Sequence, residues 1–172
     1  MYAFFDASDV PLYVGRSVRL RQRVRAHLTG ERRSARELRI AEQVRRVQWR
    51  DTGGEVGALL TEAKWLGTLR PLHNRQPRIG RNEALPAPWP FEAAIVFEER
   101  GQDSVGESVF HVVDRWCYLG PAPTLEAARA LVATQGEPVF EPMTFRILQT
   151  HLARGLRVMP LMPEEVVGAE AG

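Results

Sequence analysis

An α+β fold is what this sequence predicts, on three observations. The chain opens with two short apolar runs, Tyr2–Phe5 and residues 11–14, across a polar stretch of turn-forming residues at 6–9. That is the pattern of a β-hairpin. A third run, residues 44–50, sets Val47 and Trp49 among polar neighbours with the two-residue period of a strand. Between and after these runs lie stretches with helical spacing.

Taken in order, Ser17 is placed to cap a helix over residues 18–28, with Gly30 closing it. A second helix is expected over residues 34–43. Thr52-Gly53-Gly54-Glu55 reads as a capping box opening a third helix. On that helix Val56, Leu59, Leu60, Ala63 and Leu66 share one face, and Pro71 ends it. Residues 75–90 are rich in breakers, with Pro86, Pro88 and Pro90 alternating, and 79–90 is assigned as a linker. Beyond it, strands are expected over 91–97 and 109–118 around a polar turn at 99–106. Helices follow over 124–133 and 143–153, and residues 163–172 form a tail. The expected organisation is a first domain at 1–78, the linker, a smaller α+β region at 91–162, and the tail.

At 172 residues the chain can bury one solid core or two small ones. A hydrophobic fraction of 44% and a charged fraction of 26% match an ordinary soluble globular protein. Neither a long apolar run nor a basic-then-apolar leader is present, so a cytoplasmic protein with no membrane span is expected. The single cysteine, Cys117, excludes an internal disulfide and a zinc knuckle and reads as a small core residue. Residues 1–84 hold sixteen Arg and one Lys against nine acids, a net +8, whereas residues 85–172 carry a net −6. Only the first part is suited to face a polyanion, and guanidinium forks suit phosphate.

Hydrolysis of a phosphodiester needs an activated water, charge stabilisation at phosphorus and relief for the leaving oxygen, and candidates for each stand in the first part. Glu62 falls at the border of the apolar stripe beside Leu59 and Leu66, half shielded. One carboxylate with waters and substrate oxygens is an acceptable Mg²⁺ site. Arg16, Arg19, Arg23 and His27 recur at i, i+3, i+7 and i+11 and are expected on one helix face, beside an apolar face of Leu20, Val24 and Leu28. Arg16, Arg19 and Arg23 are therefore the candidates to grip a polyanion such as a nucleic acid. Antiparallel pairing would bring Tyr2 and Tyr13 side by side, where nearby Arg16 and Arg23 would make a phenolate more accessible. Asn74, just past the third helix, is placed to orient a phosphate or the loop around Glu62.

These residues carry a resemblance. The stretches Tyr13-Val14-Gly15-Arg16-Ser17-Val18-Arg19-Leu20-Arg21-Gln22-Arg23-Val24, Ala58-Leu59-Leu60-Thr61-Glu62 and Arg70-Pro71-Leu72-His73-Asn74 resemble the UvrC-type GIY-YIG nucleases over residues 1–78. The resemblance implies a small three-stranded antiparallel sheet flanked by helices. It also implies a catalytic set of Tyr2, Tyr13, Arg23, Glu62 and Asn74, supported by Arg16 and His27, with Glu62 holding Mg²⁺ or, in its place, Mn²⁺. One tyrosine would activate water and the other position it. The sequence departs from the family pattern in four places: no Gly-Ile precedes Tyr2, Arg16 replaces a lysine, and His27 and His73 stand where relatives carry tyrosine.

Residues around Asp114-Arg115-Trp116-Cys117-Tyr118-Leu119-Gly120 resemble, more loosely, the region after this domain in short UvrC homologues of the Cho type. They also resemble the tail of fusions with a proofreading-type exonuclease. His111 and His151 read as structural. The expectation is a metal-dependent DNA endonuclease making one nick, in nucleotide excision repair, with a damage-recognition subunit or a proofreading-type exonuclease as partner. The alternatives are a catalytically impaired DNA-binding module of the same fold, a nuclease for branched DNA, and a basic domain that binds RNA or a protein.

Overall fold

The computed structural model describes residues 1–30, 34–75, 87–101 and 108–162. Two antiparallel sheets share one central helix. The first sheet has the order β2-β1-β3, from β1 (Tyr2–Phe5), β2 (Pro11–Gly15) and β3 (Arg46–Trp49). All four residues of β1 are buried, as befits a central strand with both faces covered.

One face of this sheet packs Met1, Ala3, Phe5 and Val14 against Ala58, Trp65, Leu66 and Leu69 of α3 (Glu55–Leu69). The other packs Tyr2, Phe4 and Leu12 against Leu20 and Val24 of α1 (Leu20–Thr29) and Ile40 of α2 (Ala35–Gln43). The free edge of β2 is covered by the chain just after α3. Leu72 N–H donates to the Pro11 carbonyl, and His73 N–H to that of Leu12. An otherwise open row of backbone groups is thereby satisfied.

The second sheet runs β6-β5-β4-β7, from β4 (Ile95–Arg100), β5 (Ser108–Asp114), β6 (Cys117–Ala122) and β7 (Met159–Pro160). It packs with α4 (Leu125–Thr134) and α5 (Pro142–Ala153). Val56 and Leu60 of α3 enter the core of this second sheet beside Ile95, Phe97, Val113 and Leu148. The apolar residues of α3 therefore divide between two cores instead of sharing the single face that the sequence predicts. A helix apolar on two sides is buried on two sides.

Several local expectations are corrected. The capping box at 52–55 does not form: the N-cap of α3 is Gly54, without a side-chain cap. Instead the Glu99 carboxylate, from β4, accepts the free N–H groups of Val56 (3.0 Å) and Gly57 (2.7 Å). A carboxylate at a helix N-terminus does the same work from 43 residues away. The helix expected from residue 18 starts at Leu20; Arg19 is its N-cap, and Ser17 Oγ accepts the Arg19 N–H from outside the helix. Gly30 closes it in extended, not left-handed, geometry.

The strand expected over 109–118 is a hairpin, turning at Arg115 and Trp116, both with positive φ. Its turn lacks the usual Asn-Gly; Trp116 is held there by edge packing on Trp89 and Phe145 and by donating Nε1–H to the Ala87 carbonyl. Strand β7 has no counterpart in the sequence reading. Cys117 is buried, as expected of a core residue. Part of the assigned linker (79–86), most of the 99–106 turn and the tail at 163–172 lie outside the described residues.

A buried polar seam ties the two sheets together. The His111 side chain is fully buried; Nε2 stands 2.9 Å from the Thr52 carbonyl, and Nδ1 2.8 Å from the Tyr118 hydroxyl. Gly57 has to be glycine, because a Cβ there would collide with the imidazole. Lys64 on α3 donates to the carbonyls of Tyr118 (2.8 Å) and Leu119 (2.7 Å).

Candidate active site

The tyrosines meet on the sheet face that α1 and α2 cover. Register sets Tyr2 opposite Gly15 and Tyr13 opposite Phe4, so the two are diagonal neighbours with ring centroids 6.1 Å apart. Gly15 permits this approach: a Cβ there would stand 2.6 Å from Tyr2 Oη and 2.8 Å from Tyr13 Cε1.

Helix α1 brings His27 to the same place. Its ring is buried, 5.4 Å from Tyr13, and its Nε2 is 3.0 Å from Tyr2 Oη. Burial, then Arg23, hold the imidazole below its ordinary pKa, with Glu37 opposing and Arg36 adding to the depression. Burial also decides the state of Tyr2. Its phenol is pushed up to about 12, by desolvation first and the neighbouring Tyr13 second, against the Arg23 guanidinium. The sequence expectation that nearby cations make this phenolate accessible is thus reversed at Tyr2, because a desolvated phenolate loses more than one exposed guanidinium returns. Tyr2 keeps its proton, and its hydroxyl and His27 Nε2 share one hydrogen bond.

Arg23 lies one helical turn before His27 and is exposed. Arg16 and Arg19 do not share that helix face, since they precede Leu20 in the turn that leaves β2. Arg16 instead reaches Glu62 of α3, with Nε 3.4 Å from Oε2. The Glu62 side chain is 26% exposed. Burial raises its pKa, and Arg16 opposes the rise. Glu62 therefore joins the site through the residue following Gly15, from the helix on the opposite sheet face. Among the described residues no group of three or more His, Cys, Asp or Glu could hold a metal ion.

Asn74 is engaged by backbone. Its Oδ1 accepts the Val14 N–H and its Nδ2 donates to the Val14 carbonyl, both at 2.8 Å. This extends the β2 edge pairing to the residue before Gly15 and makes Asn74 a positioning group for the tyrosine strand. Its amide is thereby engaged with β2 rather than with the loop around Glu62.

Tyr13, Arg23 and His27 face Ser34, Arg36, Glu37 and Ile40 of α2 across an open cleft of about 160 Å³. The α2 residues of this cleft escape the sequence reading. The Ser34–Glu37 capping box, with Glu37 N–H donating to Ser34 Oγ at 3.2 Å, is the one local signal that fixes where that helix begins. Nothing local shows that its first turn faces Tyr13.

Comparison with known proteins agrees with this architecture. Residues 1–75 match the UvrC-like GIY-YIG domain, and residues 94–165 match the excinuclease Cho C-terminal domain. The chain thus sets a UvrC-like GIY-YIG domain ahead of a Cho-type C-terminal domain. It is 43% identical to excinuclease Cho of Salmonella typhi, and equally to that of Escherichia coli K12, over 86 residues. That stretch is 49% of this chain and 27% of each relative, so the alignment spans about a quarter of the length of these proteins. The UvrABC system protein C of Stenotrophomonas maltophilia is 34% identical over 74 residues, 43% of this chain and 12% of that protein. No solved structure matches. In this GIY-YIG domain the two tyrosines, Arg23 and His27 form one group, Glu62 and Arg16 a second beside it, and Asn74 braces the strand between them. No helix among the described residues is long and apolar enough to cross a membrane.

Proposed function

We propose that this chain is a metal-dependent DNA endonuclease that hydrolyses one phosphodiester bond per encounter, in nucleotide excision repair. The observation that carries the reading is the convergence of Tyr2, Tyr13, Arg23 and His27 on one cleft of a strongly basic GIY-YIG domain. Such a cleft offers a phosphate what it needs: a guanidinium for the charge that grows on the pentavalent centre, and phenols for water.

The roles of the tyrosines divide by environment. Tyr2 is buried against His27 and holds its proton, which suits it to position rather than to accept. Tyr13 is half-buried and lines the cleft, so it is the group placed to hold the attacking water. Arg23 stabilises the transition state, and Asn74 keeps β2 in register.

Glu62 would hold Mg²⁺ or Mn²⁺. A half-sheltered carboxylate fits a cation that keeps most of its water, and Arg16 on the same carboxylate shares its charge. When bound, the metal supplies charge neutralisation at the departing oxygen. Arg16, Arg19 and Arg23 contact the DNA backbone, and lesion selectivity comes from a separate damage-recognition subunit or a proofreading-type exonuclease partner.

The test is nicking of supercoiled plasmid with Mg²⁺ or Mn²⁺ by the wild type, Glu62→Ala and Arg23→Ala. Metal-dependent nicking lost in both variants supports the proposal. Salt-sensitive DNA binding without nicking in all three overturns the enzyme and leaves a DNA-binding module.

A further inference from the structure

Arg36 is a cation without a local reason to be where it is. It stands in the first turn of α2, its guanidinium carbon 5.3 Å from the Tyr13 ring centroid, and it lines the cleft with Tyr13, Arg23 and His27. No carboxylate pairs with it among the described residues. The one acid of the cleft, Glu37, is already engaged: its Oε2 accepts from Ser34 N and Ser34 Oγ, both at 2.9 Å. The buried Arg36 Nε has no hydrogen-bond partner, and neither has the buried His27 Nδ1. Two buried nitrogens left unpaired in one small cleft are costly, and the Arg36 Nε–H is a donor in any state of the protein. A fold that keeps this cation unpaired over Tyr13 is arranged for an acceptor that arrives from outside.

We infer that Arg36 is a second phosphate-holding guanidinium of this site, gripping the phosphodiester from α2 while Arg23 grips it from α1. This rests on the nuclease reading above and names a residue outside the stretches that carry the family resemblance. The ligand class follows from the lining. Two guanidiniums facing each other across the cleft select a compact, oxygen-rich anion, and the cleft has room for one phosphate group. Planar forks on either side fix the orientation of that phosphate toward Tyr13, where a single arginine would leave it free to rotate. Arg36 also shares the charge that builds on the phosphate oxygens during hydrolysis.

The experiment compares wild type, Arg36→Gln, Arg36→Lys and the surface control Arg154→Gln. Binding to a fluorescent duplex is followed by anisotropy in EDTA across a salt series, and plasmid nicking is followed with Mn²⁺. Loss of one phosphate contact lowers the salt slope by about 0.9 and weakens binding about tenfold or more in Arg36→Gln. Arg36→Lys is expected to keep the slope yet lose kcat, because an ammonium retains the charge without the fork. Arg154→Gln changes neither. Melting curves identify any variant that has lost its fold, and Arg36→Lys then carries the test. Unchanged slope and unchanged kcat in the Arg36 variants overturn the inference while the nuclease stands. Wild type that binds DNA but never nicks overturns the nuclease, and the slope difference still decides Arg36. Wild type that binds no duplex overturns both.

Discussion

Lowering the pH from 7.5 to 5 should weaken this protein, most of all through His111. The imidazole is fully buried between Thr52 and Tyr118, and burial holds its pKa at about 4 against an ordinary 6.5, with the Thr52 contact opposing. Glu99 Oε2, 3.5 Å from Nε2, would favour an imidazolium, but desolvation outweighs it. Below 6.5 the unfolded chain takes up a proton that the folded one refuses, so stability falls as pH falls through that window. At 1.36 kcal/mol per pKa unit the loss is about 2 kcal/mol at pH 5 and about 3 kcal/mol once pH drops below the folded value. Glu99 works the other way: burial raises its pKa, so it protonates first in the folded state and offsets part of the loss.

The comparison that isolates His111 is therefore wild type against His111→Gln, by urea unfolding at pH 7.5 and pH 5. The variant starts less stable, since Thr52 and Tyr118 lose their fitted partner, but should lose about 2 kcal/mol less between the two pH values. Parallel losses in the two proteins would refute the buried neutral histidine.

Other perturbations test the remaining joints. Asn74→Ala removes both hydrogen bonds to Val14 and should cost about 1–3 kcal/mol in chemical denaturation, with nicking reduced through misplacement of Gly15 and Tyr13. Glu99→Ala unpairs the first N–H groups of α3 and should cost about 1–3 kcal/mol; a change below a few tenths would mean that water replaces the carboxylate. Gly57→Ala drives a methyl into His111 and should destabilise by more than a typical surface change, read as a lower melting temperature. Tyr13→Phe should lower kcat by about 10²–10⁴, and Tyr2→Phe less. The reverse order in single-turnover nicking would exchange their roles.

Much of the first sheet was legible because its signals are local. Short apolar runs across a turn, a breaker at Pro71 and a strand-period run at Val47 and Trp49 depend only on neighbours in the chain, and the hairpin and third strand formed where those signals stand. The nearness of Tyr2 to Tyr13 was legible from strand pairing and that of Arg23 to His27 from helical spacing, while the family resemblance joined the two pairs. Arg16 and Arg19 fell off the predicted face because the exit from β2 consumes four residues before Leu20 can start a helix.

Tertiary structure alone decided the rest, and the reason is the same each time: the deciding partner is far away in sequence. Glu99 rather than a local capping box satisfies the start of α3, from 43 residues on. The charge of Tyr2 is set by the walls around it more than by the arginine beside it, since desolvation depends on everything packed within a few ångströms and not on residue type. Asn74 became a strand brace only because the chain after α3 folds back along β2, 60 residues from Val14. Arg36 entered the site when α2 laid its first turn across Tyr13, a contact between elements that no period in the sequence encodes. The residues themselves set which chemistry was on offer; close packing of helices on both faces of one small sheet determined which of those groups could meet a phosphate.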